Sequence, residues 1–282
     1  MERVAIFGVG LIGGSFALAL RQAGFAGEIV GVSSIGTINE AVRLGVIDRG
    51  VSLEEAAAQS DLLYLAQPIG QIIATIGALA GKVKPGALVT DAGSTKSSIL
   101  DEAGLRMPGQ PFLGGHPMAG KEVRGVQSAD AAIFPGRTYF LSVRDQAVLD
   151  HPVAEDLVEF IEKFGCRPVL LSPEDHDRLV AFTSHLPQMA STALAATLAR
   201  LLDPETARKG AGPGLIDMTR LAQSSYDLWQ EIVLTNVSAI DRALSLYIRE
   251  LQDVRESLQR RDLSDTFEKA GRFSSIVRKR DS

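Results

Sequence analysis

Up to about Leu171 the apolar residues fall into short runs, separated by polar or glycine-bearing breaks and by stretches of helical spacing. The runs at 4–7, 28–32, 61–66, 87–90, 112–115, 137–143 and 168–171 read as buried strands. Between them the spacing predicts helices over 15–23, from near Thr37, and over 53–58, 69–79, 97–103 and 152–164. In the last of these Val153, Leu157, Phe160 and Ile161 share one side. Such alternation with short loops is the pattern of an α/β unit, a parallel sheet covered on both faces. Ser172-Pro173-Glu174-Asp175 places a proline and acids where a helix starts, and it marks a boundary between domains at 1–172 and 173–282.

Beyond that boundary the strand signals vanish. Helices are predicted over 175–184, 186–202, 215–222 and 228–259. Pro187 breaks the first pair, and Lys209-Gly210-Ala211-Gly212-Pro213-Gly214 is the strong breaker. In the last stretch Trp229, Ile232, Asn236, Ile240, Leu244, Tyr247, Leu251, Val254 and Leu258 recur at helical spacing. One small domain cannot cover so long an apolar face, so a homodimer through an all-α domain is expected. Residues 260–282 are polar and basic, a last helix and a frayed end.

Composition narrows the classes. The 282 residues can bury a substantial core, and 45% hydrophobic with 22% charged residues is ordinary for a soluble globular protein. A net charge of −5 leaves no basic surplus for nucleic acid. The single cysteine, Cys166, excludes an internal disulfide, fits a reducing cytoplasm and reads as a small core residue. No apolar run approaches the roughly 20 residues that span a bilayer. A strand begins almost at the N-terminus, which argues against a signal peptide. His116, His151, His176 and His185 lie far apart, without partner cysteines or an HExxH pattern, so no metal site is read.

The candidate chemistry begins with Gly8-Val9-Gly10-Leu11-Ile12-Gly13, directly after the first strand and before a helix. In that position Gly8 makes the tight turn, Gly10 admits a pyrophosphate and Gly13 lets the helix pack on the strand. With Leu11 and Ile12 at the helix start, this is a dinucleotide-binding element of the Rossmann type. An NAD enzyme usually carries Asp or Glu at the end of the second strand. Here Ser33 and Ser34 stand there, with Thr37 beyond, and all three can donate to a 2′-phosphate. Arg43 is the nearest cation, one helix away. The cofactor is read as NAD(P), leaning to NADP; the alternative is that the serines only cap the next helix. Gln67-Pro68 ends another strand at a cofactor-facing loop.

Asp91-Ala92-Gly93-Ser94-Thr95-Lys96 also follows a strand, where such folds form their crevice. Ser94 can face a substrate hydroxyl or the nicotinamide, or with Thr95 cap the following helix. Lys96 either positions the loop, binds an anion or is solvated surface. Phe112-Leu113-Gly114-Gly115-His116-Pro117 then sets a histidine in extended backbone, because Pro117 disfavours helix at His116. An imidazole fixed at a strand end among glycines suits a general base. Glu122 can pair with a cation across the site or form a surface ion pair. In the helical half His185, before Pro187, and Arg220, after the Gly-Pro-Gly turn, are candidates to bind substrate. A guanidinium can hold a carboxylate bidentately.

Together these residues resemble the prephenate/arogenate dehydrogenase family of tyrosine biosynthesis. The likeness covers nearly the whole chain. It rests on Gly8 to Ser15, Asp91 to Lys96, His116-Pro117-Met118-Ala119-Gly120-Lys121-Glu122, Ser184-His185-Leu186-Pro187, and Thr219-Arg220 with Trp229. The resemblance implies oxidative decarboxylation of a cyclohexadienol, with hydride passing to the nicotinamide. It implies that His116 accepts the hydroxyl proton and that Ser94 holds the hydroxyl or orients His116. It also implies that His185 and Arg220 bind substrate, and that Glu122 closes the site near Arg220. Two departures, Gln188 where many relatives have histidine and Ser224-Ser225-Tyr226 where many read Ser-Asp-Pro, bear on prephenate against arogenate. Rival readings are a β-hydroxyacid or imine dehydrogenase and a non-catalytic NADP-binding sensor.

Overall fold

The computed structural model describes residues 1–121 and 123–279. The first half runs β1 (Arg3–Phe7), α1 (Leu11–Gln22), β2 (Glu28–Val32), α2 (Ile35–Arg43), β3 (Arg49–Gly50), α3 (Leu53–Gln59) and β4 (Leu62–Leu65). It continues α4 (Ile69–Leu79), β5 (Leu88–Asp91), α5 (Ser97–Arg106), β6 (Phe112–Pro117), β7 (Thr138–Ser142), α6 (Pro152–Lys163) and β8 (Arg167–Leu170). The strands form one sheet in the order β3-β2-β1-β4-β5-β6-β7-β8. The order reverses between β1 and β4, and a crevice opens at such a switch point. Residues alternate across the sheet: Val4 and Ile6 join the core on one face, Ala5 and Phe7 the core on the other.

Two features were not expected of the parallel sheet. β3 is a two-residue strand too short to leave an apolar run. β6 and β7 pair antiparallel, with His116 opposite Phe140. Among the described residues no α-helix crosses between them, only the 3-10 turns Val126–Ser128 and Ala131–Ile133, and a parallel pair needs a longer crossover. α1 also starts at Leu11, not at Ser15, so Gly13 and Gly14 lie inside the helix.

The second half is helical among the described residues: α7 (Pro173–Val180), α8 (Leu186–Leu201), α9 (Pro204–Gly210), α10 (Pro213–Thr219), α11 (Tyr226–Thr235), α12 (Val237–Arg260) and α13 (Ser264–Arg278). Pro187 does not break the path. A π-helical turn at Ala181–His185 joins α7 to α8 and accommodates the proline, which lacks a donor N–H. The helix expected over 215–222 ends at Thr219 and tightens into a 3-10 turn, Arg220–Gln223. The long helix expected over 228–259 is two helices, because Asn236 leaves helical geometry at φ −135°. Ile232 and Ile240 are buried, whereas Leu251 and Leu258 on α12 stay exposed. Of the last helix and frayed end expected over 260–282, α13 is the helix, and residues 280–282 lie outside the described residues. No helix among them is long and apolar enough to cross a membrane.

Candidate active site

The glycine motif divides its work by position. Gly8 has φ +87°, where a side chain is strained, and a Cβ there would meet the Ala66 carbonyl oxygen at 2.9 Å. A Cβ on Gly13 would stand 2.2 Å from the Gly8 carbonyl oxygen, so α1 sits directly on the turn. Gly10 faces open space, with nothing within 4 Å of a Cβ. Gly10 is also the N-cap of α1 and offers no side-chain acceptor. The amides of Leu11 and Ile12 in the first turn lack intrahelical acceptors, and the helix dipole favours an anion beside them. An open Gly10 face before a bare helix end fits the pyrophosphate of a dinucleotide.

The neighbouring loops are more occupied. Ser34 caps α2: its hydroxyl accepts from the Thr37 amide at 3.4 Å and lies 2.9 Å from Thr37 Oγ1. Arg43 is held by Glu40 through Nε at 2.9 Å and Nη2 at 2.7 Å. Ser33 is exposed at the end of β2. Gln67 accepts from the Thr75 hydroxyl at 2.8 Å, and Pro68 is the N-cap of α4. The Gly70 amide, in the first turn of α4, donates to Glu231 of α11 at 3.2 Å.

His116 sits near the C-terminal end of β6, partly accessible in dense surroundings. Its Nδ1 lies 2.9 Å from His176 Nε2, and His176 Nδ1 lies 2.9 Å from Asp177 Oδ1. The same carboxylate accepts the Lys96 amide at 2.7 Å and the Ser97 amide at 2.9 Å. Asp177 of α7 thus caps α5, and neither Ser94 nor Thr95 does. Thr95 Oγ1 pairs instead with Thr235 Oγ1 at 2.9 Å. Ser94 lies half-buried in the loop after β5, the strand beside β6, and its hydroxyl has no hydrogen-bond partner among the described residues.

Lys96 is not surface. It is fully buried, its ammonium paired with Asp91 and donating to the Gly115 carbonyl at 2.7 Å. Asp91 in turn accepts the Gly115 amide at 3.1 Å and the Gly93 amide at 2.7 Å. The pair grips both polar groups of the residue before His116. Burial pushes Asp91 up and Lys96 down, and each partner opposes the other's shift.

His116, His176 and His185 are held neutral. Burial drives His116 well below the ordinary 6.5, and His176, Lys96 and His185 nearby add to it. Burial lowers His176 too, against the pull of Asp177. Burial raises Asp177, but the hydrogen bonds from His176, Ser97 and Lys96 outweigh it and leave the carboxyl lowered. His185 is 1% exposed, and burial brings it down to about 4. Asn236 Nδ2 donates to the Asp177 backbone carbonyl at 2.8 Å and lies 3.3 Å from His185 Nδ1. His185 Nδ1 is therefore an acceptor and its Nε2 carries the proton. Trp229 meets the His185 ring edge-on at 5.8 Å between centroids.

Arg220 opens its 3-10 turn with an exposed side chain. Gln188 Nε2 donates to the Leu221 carbonyl at 2.8 Å and the Ala222 amide to Ser191 at 3.1 Å, which ties the turn to α8. Glu122 lies outside the described residues. Arg124, just beyond it, donates to Ser225 at 2.9 Å.

His116 and His185 thus come together, with Ser94 in the loop that follows the neighbouring strand β5. Sequence reasoning missed His176, Asp177 and Asn236. The pair His176-Asp177 follows Pro173-Glu174-Asp175 and looks like one more polar first turn. Asn236 carried a signal, an amide within an apolar helical stripe.

The sequence matches two family descriptions, "Prephenate dehydrogenase, nucleotide-binding domain" over residues 16–170 and "Prephenate dehydrogenase, dimerization domain" over 172–270. It is 31% identical to the prephenate dehydrogenase of Lactococcus lactis subsp. cremoris, covering 93% of this chain and 73% of that protein. The fold matches the Aquifex aeolicus prephenate dehydrogenase crystallised with hydroxyphenyl propionate and NAD+, with TM-score 0.88, 30% identity, and 98% and 97% of the two chains covered. It also matches Synechocystis arogenate dehydrogenase, with TM-score 0.83, 28% identity and 98% of each chain covered. The two family descriptions together cover most of the chain, the histidine cluster included, and the chain belongs to the prephenate dehydrogenase family.

Proposed function

We propose that the protein oxidatively decarboxylates prephenate to 4-hydroxyphenylpyruvate, passing hydride to NAD(P) in tyrosine biosynthesis. The observation that carries this reading is a neutral imidazole, His116, at the mouth of the sheet that also bears the open glycine turn. His116 takes the proton of the substrate's C4 hydroxyl, and Ser94 holds that oxygen. The bound nicotinamide supplies the hydride acceptor for C4. Loss of carbon dioxide sends the electrons of the broken C–C bond through the ring to the oxygen, which recovers the proton from His116. The His185 Nε2–H donates to the substrate and Arg220 holds a carboxylate, and the role carried over to Glu122 is to help close the site. No metal is invoked. Residues 1–172 hold the dinucleotide, and 173–282 bind substrate and pair two copies in a cytoplasmic enzyme. The exposed apolar face of α12 supports the pairing.

For the acceptor, what supports NAD is that Ser34 and Thr37 are engaged in a cap and Arg43 in an ion pair. What supports NADP is the exposed Ser33, with no carboxylate at the end of β2 to repel a 2′-phosphate. The second reading is arogenate or dual specificity, and the residue that bears on it is Gln188, whose amide is turned to the Leu221 carbonyl. Absorbance of the reduced nicotinamide tests all of this in four mixtures, prephenate or arogenate with NAD or NADP. Turnover is expected with prephenate. Silence in all four, with cofactor binding intact, would overturn the proposal.

A further inference from the structure

Two side chains of the histidine cluster have no direct part in the reaction as written. We infer that His176 and Asp177 are positioning residues that fix the tautomer of His116, leaving its Nε2 bare for the substrate proton. The inference rests on the reading of His116 as the base.

The argument starts at the carboxylate. Asp177 is anchored by two amides at the N-terminal end of α5, from Lys96 at 2.7 Å and Ser97 at 2.9 Å. That end of a helix favours an anion. An ionised carboxylate only accepts hydrogen bonds. The hydrogen between Asp177 Oδ1 and His176 Nδ1 therefore sits on nitrogen. A neutral imidazole with one N–H has a lone pair on its other nitrogen. His176 Nε2 presents that lone pair to His116 Nδ1, 2.9 Å away. His116 must then carry its hydrogen on Nδ1.

Its Nε2 is left unprotonated, and among the described residues nothing hydrogen-bonds it. When the substrate O–H bond breaks, an N–H bond forms at Nε2. The imidazolium keeps its Nδ1–H on His176, and no proton need travel to Asp177. The other titratable groups near the rings do not compete: Lys96 and Asp91 pair with each other, and the His185 Nδ1 faces Asn236. The base stands on β6 while its positioning residues stand on α7. The tautomer is thus set only when α7 is seated on α5.

Two substitutions test this. Asp177→Asn keeps one oxygen, for the Ser97 amide, while its Nδ2 takes the place of the oxygen that the Lys96 amide and His176 share. It turns an amide N–H towards His176 Nδ1, which forces the opposite tautomer and places a hydrogen on His116 Nε2. We expect kcat to fall about 10²- to 10⁴-fold, with cofactor KM little changed. His176→Gln donates to Asp177 from its amide and accepts from His116 Nδ1–H at its oxygen, so the tautomer survives. Its kcat should fall less than about tenfold. Histidine side-chain ¹⁵N shifts should show His116 protonated at Nδ1 in the wild type and at Nε2 in Asp177→Asn. A wild-type His116 protonated at Nε2 would overturn the inference. So would equal losses in the two variants, or an Asp177→Asn kcat within a few-fold of wild type. The shifts need no turnover. A fixed Nδ1–H tautomer in a protein silent towards both substrates would sink the proposed reaction and spare the tautomer assignment.

Discussion

The glycine crevice and the histidine cluster solve opposite problems. The crevice is made by leaving side chains out: Gly10 opens a face and Gly13 removes a clash. The cluster is made by packing them in, with His176 and Lys96 fully buried and His185 nearly so. The crevice binds with backbone amides that a local turn orients. The cluster tunes protons with side chains from β6, α7, the π turn and the α11–α12 junction, held by backbone amides at the start of α5. A binding surface can be specified by six consecutive residues; a tuned base needs the whole fold.

The contrast can be broken most sharply at His116. His116→Ala should lower kcat about 10²- to 10⁴-fold while dinucleotide binding, measured by fluorescence quenching, stays intact. Equal loss of both would mean the two regions are one. The next effect is on stability. Folding lowers the His185 pKa from 6.5 to about 4. Above pH 6.5 neither state holds the proton; as pH falls, the unfolded chain binds it first. Stability is therefore lost progressively from about pH 6.5 down to about pH 4, on the order of 3 kcal/mol from this residue. His116 and His176 shift in the same direction. Melting curves across that window should fall, and His185→Gln should flatten them. An unchanged slope would mean His185 is not held neutral by burial. The acid limb of kcat/KM should likewise lie below pH 6.5.

The smallest effect sharpens the crevice itself. Gly13→Ala puts a methyl 2.2 Å from a carbonyl oxygen and should cost about 1–3 kcal/mol of stability. Gly10→Ala meets nothing within 4 Å, so its melting temperature should hold while the cofactor KM rises. Matching losses of stability would refute that division of labour.

The same contrast explains what the sequence made legible. The strands, the glycine turn and the expected positions of Ser94 and His116 follow from local pattern, and the structure places them accordingly. What stayed hidden joins residues far apart. His116 and His176 are 60 positions apart, and Ser97 and Asp177 are 80. Lys96 was ambiguous because nothing in its neighbours says whether the loop turns inward. The antiparallel β6–β7 pair was hidden because an apolar run carries no direction. Pro187 misled because proline usually ends a helix, and a π turn is an unusual remedy.

The cap that Asp177 places on α5 has a consequence for any attempt to take the chain apart. The sheet's second core includes Ile232, with Trp229 packed against it, and Glu231 meets the start of α4. A fragment ending at 172 would bare this apolar patch and leave the α5 amides to water. Grafting a foreign helical half onto this sheet would succeed only if the donor supplied a carboxylate at 177 and an aliphatic side chain at 232. The halves are better regarded as one cooperative unit than as interchangeable modules.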